Sequence, residues 1–416
     1  MIFMRTITKT LQNGLKVLFQ PVEQLQTVGI SFGVRFGAID ENPRMNGSAH
    51  FLEHMMFKGT RKRTWKQIDD QLDGMGVYHN AFTDHETTVY YMQAYRGYAD
   101  STLEILSDMV KNSTIPEKEF ELERGPIINE NLMRHDNPAF LIYDYIPQTL
   151  YTKHPAKMSV GGDNEKTIKN ITREDLNAIY NNYYTPENSV LSIYGGISAA
   201  KAFALAEKHF GDFSRPYKKL SRYPAREKPR RRAINIAREG IKQTRFGVGF
   251  MCSEYRKGSE KEFLALSVAS SYLSNRLFEE IRQKNGLSYD PMASYNPYST
   301  FGFIASAAGI APKNLDKVRE MTLAEFSKLG DGEIVRKDFE RAKRFLYIEN
   351  RIRKDRTLDM ALGMCTFELM YGGVGVFDRL AEGINAVEME NAQESCARYI
   401  DIDKCGTILL KPKGQH

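Results

Sequence analysis

At 416 residues the chain has room for about two to three domains and a large buried core. Its 42% hydrophobic and 26% charged residues are ordinary for a soluble globular protein, and no apolar run approaches the roughly 18 to 20 residues that cross a bilayer. The net charge of +6 is concentrated between Arg215 and Arg232, where nine basic residues face one acid, Glu227, among three prolines; with only Tyr217 and Tyr223 as aromatics, this reads as a solvated linker and not as a nucleic-acid surface.

Residues 6–11 and 15–21 flank Asn13-Gly14, a strong hairpin signal, and predict the first two strands. The N-terminal stretch has no continuous apolar core and no small-residue cleavage site, so a cytoplasmic location is expected. Residues 28–36, apolar and glycine-rich, predict a buried central strand, and 37–47 a polar loop.

The unbroken run after Asn46-Gly47-Ser48 predicts a helix carrying His50-Phe51-Leu52-Glu53-His54. Four residues apart, His50 and His54 share one helix face and both imidazoles reach a single metal ion. Glu53, three residues from His50, brings a carboxylate near the same face, where a water at the metal needs a base. This is the inverted H-x-x-E-H pattern of zinc peptidases. A chain with eight histidines would contain it by accident on the order of one time in a hundred.

A helix over 65–75, one or two strands over 80–95, and helices over 98–112 and 117–133 follow, the last opened by Pro116. Thr172, with Asp175 three positions on, caps a helix over 171–180. A strand over 189–196 and a helix over 199–210 end the first half.

Beyond the basic segment the pattern starts again. Thr88 through Met109 aligns with Thr300 through Met321 at an offset of 212 without a gap, and the Gln26-Thr27 strand aligns with Gln243-Thr244 at an offset of 217. Offsets so close to half the chain length predict a duplicated domain. The second copy carries Glu262-Phe263-Leu264-Ala265-Leu266 in place of the histidine stretch, and no histidine lies between His209 and His416. It supplies no imidazole ligand from its body. The cysteines Cys252, Cys365, Cys396 and Cys405 show no C-x-x-C spacing and read as reduced core thiols.

Catalytic zinc takes three protein ligands. By spacing alone the third is His79, His85 or an acid of the 117–133 helix, and Glu130 and His85 remain equal choices.

The segment Gly47 to Thr60, the helix from Glu121 through Glu130, and the duplication resemble the pitrilysin family of metallopeptidases. The resemblance implies Zn2+ held by His50, His54 and Glu130, the last 76 residues after His54 and at the family's spacing. It also implies Glu53 as the base and Glu123 as the acid behind the ligands on the same helix. Asn80-Ala81-Phe82-Thr83 is similar to the family's edge strand, onto which an extended peptide adds. Arg282 through Gly286-Leu287-Ser288-Tyr289 resembles its R-x-x-x-G-L-x-Y segment. That likeness implies that Arg282 anchors substrate carbonyl groups and that the Tyr289 phenol donates to the developing oxyanion. Two features depart from the pattern. Pro126 lies inside the ligand helix, where proline costs about 3 kcal/mol unless the helix kinks, and Asn131 follows Glu130 where many relatives carry a second acid.

The implied fold is α+β, with two similar domains of mixed β-sheet packed with helices: residues 1–213 and 233–416, joined by the 214–232 linker and closing like a clamshell around a chamber. The implied activity is that of a zinc-dependent endopeptidase acting on short or unfolded peptides. A homodimer, or a heterodimer with a related subunit, is implied too, with no nucleic acid and no membrane as partner. The rival of the same fold is a non-catalytic structural or peptide-holding subunit. Survival of His50, Glu53, His54 and Glu130, and of the Arg282/Tyr289 pair, favours the enzyme.

Overall fold

Two mixed sheets organise the chain in the computed structural model, which describes residues 5–413 except residue 242. The first contains β1 (Ile7–Thr10), β2 (Lys16–Pro21), β3 (Thr27–Val34), β4 (Tyr78–Thr83), β5 (Thr88–Tyr95) and β6 (Ser189–Gly195), in the spatial order β1-β2-β6-β3-β5-β4. The second contains β7 (Arg232–Arg238), β8 (Thr244–Cys252), β9 (Met292–Pro297), β10 (Gly302–Ile310) and β11 (Gly406–Pro412), in the order β7-β11-β8-β10-β9. Strand by strand the second order repeats the first without β1. In each sheet one pair is parallel, β2 with β6 and β7 with β11, and the remaining pairs are antiparallel. The repeat offsets in the sequence are therefore a duplicated topology, as expected.

The hairpin at the start forms around Asn13-Gly14. Gly14 takes φ 92°, the left-handed region that glycine enters without penalty. Asn13 accepts from the Leu15 N–H and donates to the Phe210 and Phe213 carbonyls. The turn that closes the hairpin thereby ties it to the end of the Ala199–Phe210 helix.

The chain forms two compact units, and neither is continuous in sequence. One contains residues 1–131, 159–221 and 352–378; the other contains 132–158, 222–351 and 379–416. Each unit thus includes a helix taken from the opposite half of the chain, an exchange that contiguous boundaries at 213 and 233 do not contain. In the first unit the Thr357–Tyr371 helix packs on β3, β5 and β6. In the second the Pro138–Leu150 helix packs on β8, β10 and β11.

The glycines of the central strands follow from this exchange. A Cβ on Gly29 would stand 2.3 Å from the Thr357 carbonyl oxygen, and one on Gly33 would stand 2.4 Å from Leu369 Cδ1. In the second unit a Cβ on Gly249 would meet Ile146 Cγ2 at 2.8 Å. The glycines bring the strand backbone close to a helix that lies flat on it.

The basic segment differs from the solvated tether its composition suggests. The Arg215 guanidinium stacks 3.7 Å from the Tyr180 ring centre and donates to the Tyr184 carbonyl at 2.8 Å and the Lys111 carbonyl at 2.5 Å. Glu227, its one acid, accepts from the backbone N–H groups of Thr152, Lys153 and His154, each at 2.8 Å, and from the Thr152 hydroxyl. Burial alone would raise its pKa, but these donors hold it down at about 2. Arg226, Lys228, Arg230 and Arg231 remain exposed. The four cysteines are buried and unpaired by disulfides. Among the described residues no helix is long and apolar enough to cross a membrane.

One substitution at two glycines tests the close helix–strand contact. Gly29→Ala drives a Cβ into a backbone carbonyl and should destabilise by roughly 1–3 kcal/mol, as overpacking does. Gly74→Ala, at the end of the Trp65–Gly74 helix with no atom within 4 Å of the new Cβ, should leave the thermal midpoint unchanged or raised. Equal midpoints for the two variants would refute the contact.

Candidate metal centre

Helix Ser48–Met55 is buried at every position except His54, which is half-buried. Its N-terminal residue Gly47 sits at φ 97° and has no side chain to cap the first turn. A distant acid does this instead: Glu41 accepts from Gly47 N–H at 2.8 Å, Ala49 N–H at 2.7 Å and the Asn46 amide at 2.8 Å. Burial pushes the Glu41 carboxyl up to about 8 while these bonds pull the other way. Nothing in the sequence marked Glu41, because the capping signal is local and Glu41 lies six residues outside the cap.

The helix that brings Glu123 and Glu130 runs over Glu117–Asp136. Ile115, two residues before it, has φ 42°, a left-handed strain of order 1–3 kcal/mol for a β-branched residue. Its buried side chain and the Arg173 guanidinium, which donates to its carbonyl at 2.6 Å, hold it there. Pro126 does not end the helix, which continues through it. The missing N–H would have bonded the carbonyl of Leu122, a residue on the exposed side of the helix. Phe51 of the motif helix stacks on Phe120 with ring centres 4.9 Å apart, docking the two helices.

Asn131 also has a physical reason. Its buried amide donates to the Gly162 carbonyl at 2.9 Å and the Gly161 carbonyl at 3.3 Å, and the Asn46 amide reaches the Ser159 carbonyl at 2.8 Å. One short loop thus registers the start of the motif helix against the residue after Glu130. A carboxylate at 131 would face two carbonyl oxygens and repel both.

This scaffold gathers three ligand atoms. His50 Nε2 lies 3.3 Å from His54 Nε2 and 3.7 Å from Glu130 Oε1, and His54 Nε2 lies 3.4 Å from Glu130 Oε2. Bonds of about 2.0–2.1 Å at tetrahedral angles put zinc ligands roughly 3.3–3.4 Å apart, so two imidazoles and one carboxylate at these separations fit Zn2+ with a position open to solvent. Among the described residues this is the group of histidine and carboxylate ligands close enough to hold a metal. His79 and His85 are outside it, so the choice left open by spacing falls on Glu130.

Glu123 accepts from His54 Nδ1–H at 2.9 Å, which fixes the tautomer that leaves Nε2 free for a metal. Burial lowers the His54 pKa, but the Glu123 and Glu130 carboxylates overcome it and carry the metal-free imidazole up to about 9.

Glu53 is buried beside the triad, and that burial raises its carboxyl to about 7 against the Thr83 hydrogen bond and the His54 charge. The Thr83 hydroxyl donates to Glu53 Oε2 at 2.6 Å. Asn80, Ala81, Phe82 and Thr83 all lie on β4, the outermost strand of its sheet. Thr83, expected as part of a peptide-binding edge, turns its side chain toward Glu53. Phe82 lies on the other face, its ring centre 6.2 Å from Tyr91.

Arg282 and Tyr289 belong to the second unit. The Glu260–Leu277 helix, at the motif helix's place in the repeat, runs into a π-helical turn over Phe278–Gln283. From this turn the Arg282 guanidinium stacks between the rings of Tyr289, at 4.3 Å, and Phe278, at 4.8 Å. Tyr289 is 75% exposed.

Comparison with known proteins identifies the family of the chain. Residues 16–164 match the insulinase (peptidase family M16) model and residues 170–346 match the peptidase M16 inactive domain. An uncharacterized zinc protease of Rickettsia bellii is 32% identical over 80% of this chain and 80% of its own length. The beta subunit of the mitochondrial-processing peptidase of Caenorhabditis elegans is 27% identical over 94% of this chain and 87% of its own. A protease structure from Helicobacter pylori has the same fold, with a TM-score of 0.91 at 21% identity over 98% of this chain and 100% of that one. The order of the two matched models follows the order of the two repeats, the metal residues fall within the first, and the chain belongs to peptidase family M16.

Proposed function

We propose that the protein is a zinc-dependent endopeptidase that hydrolyses peptide bonds in short or unfolded peptides. The observation that carries this reading is the His50–His54–Glu130 triangle with the Glu53 carboxylate held beside it. His50, His54 and Glu130 would hold the ion. Bound Zn2+ supplies Lewis acidity toward water and toward the scissile carbonyl.

Glu53 takes the proton of the attacking water and later delivers it to the leaving amine. A carboxyl lifted to about 7 is suited to both directions near neutral pH. Thr83 holds Oε2 of this carboxylate and so orients it. The outer edge of β4 accepts the substrate as an added strand, since among the described residues no strand pairs with that side in the sheet. Arg282 and Tyr289 contribute the substrate contacts that the family resemblance implies. In solution the chain pairs with a copy of itself or a related subunit, a reading supported by its similarity to a protein named as a subunit.

Cleavage of a quenched peptide, measured beside bound zinc, tests the reading. Glu53→Gln should retain stoichiometric zinc and lose about 10²–10⁴-fold in kcat; normal cleavage by this variant would remove Glu53 from the mechanism. Thr83→Val should lower kcat about 10-fold with KM unchanged, and Thr83→Ser should recover most of it. A rise in KM alone would return Thr83 to the substrate edge. Because metal-free His54 has a pKa of about 9 and a ligand must be neutral, zinc uptake at pH 8 should release about one proton, detectable by calorimetry in buffers of different ionisation enthalpy.

A further inference from the structure

Lys58 lies four residues beyond His54, in the turn that follows the motif helix. Its ammonium reaches Glu123 Oε2 at 2.6 Å, while the other oxygen of the same carboxylate holds His54 Nδ1 at 2.9 Å. The carboxylate is 12% exposed and Lys58 28%. Glu123 therefore spends each oxygen on a different donor, and little of it is left to water. We infer that Lys58 is a positioning residue for the metal centre, anchoring Glu123 so that its second oxygen stays aimed at His54. The inference rests on the zinc reading above.

The geometry favours this over an ordinary surface ion pair. An exposed pair contributes about 0–1 kcal/mol because water replaces either partner. Here the acid is enclosed, and a buried carboxylate that loses one of its two charged donors turns toward solvent to recover a partner. That turn withdraws the acceptor from His54 Nδ1–H and frees the ring to rotate. Loss of such an outer partner typically weakens metal binding about 10–100-fold. The residues Ser48 to Lys58 thus carry two ligands, the base and the anchor of the acid behind one ligand.

Charge and position make opposite demands on Lys58, and this gives the test its sign. Removing a cation near a dication would by itself tighten metal binding, whereas removing an anchor loosens it. The experiment compares wild type, Lys58→Met and Lys58→Arg, reading the zinc dissociation constant by competition with a chromophoric chelator and the thermal midpoint of each metal-free protein. Lys58→Met should raise the dissociation constant about 10–100-fold with the metal-free midpoint within a few degrees of wild type. Lys58→Arg, which keeps a donor to Oε2, should stay within about threefold of wild type. Unchanged or tighter binding by Lys58→Met overturns the inference, as does a loss of affinity that merely follows a collapse of the metal-free midpoint. A wild type that binds no zinc sinks the proposed function and the inference with it; a zinc-binding wild type with an indifferent Lys58→Met sinks the inference alone.

Discussion

Two imidazole nitrogens stand 3.3 Å apart, each with an oxygen of the Glu130 carboxylate within 3.7 Å, and several polar contacts of the first unit hold that crowding in place. Lone pairs brought this close repel unless a cation or proton lies between them, so the ligands need a scaffold that does not relax away. The scaffold is made from buried polar groups that hydrogen-bond across long sequence distances, which limits the alternative arrangements open to them. Glu41 fixes the start of the motif helix, the Ser159–Gly162 carbonyls fix Asn46 against Asn131, and Glu123 fixes the His54 ring. Each holds a ligand-bearing element at a point within two or three turns of the ligand itself.

Glu53, proposed as the base, is held differently from the proposed ligands. Glu53 receives one short hydrogen bond from Thr83 and little other polar support, and its burial favours the protonated form. A carboxylate pinned by several donors would be a weak base, as Glu227 illustrates with four donors and a pKa held at about 2. One donor orients the group without removing its proton affinity. The contrast between these two glutamates shows how their partners alone set opposite proton affinities.

Duplication explains the sheets and exchange explains their glycines. Both units use the same strand order, yet only the first carries histidines on the helix that follows its third strand. The corresponding Glu260–Leu277 helix keeps a packed apolar face and runs into a π-helical turn that presents Arg282 and Tyr289. Swapped helices then lie on both sheets, and each demands flat glycine backbone beneath it. A copied fold has kept its topology while its motif position has taken on another set of side chains.

Much of this was legible from residues alone. His50, Glu53 and His54 share a helix face because helical spacing is a local property, and the duplication was visible because strand patterns survive copying. The Asn13-Gly14 hairpin belongs to the same class, since a positive φ is a demand on one residue. What the chain could not disclose by itself was every relation that spans long sequence distances: the choice of Glu130 over His85, the cap from Glu41, the turn of Thr83 toward the base, and the helix exchange at 132–158 and 352–378. Pro126 belongs there too, because whether a proline ends a helix depends on the surroundings of the turn before it. Local chemistry determined which residues were able to act on a metal and a peptide; only packing between distant segments decided which of them meet, because a contact across many residues leaves no periodicity in the sequence to read.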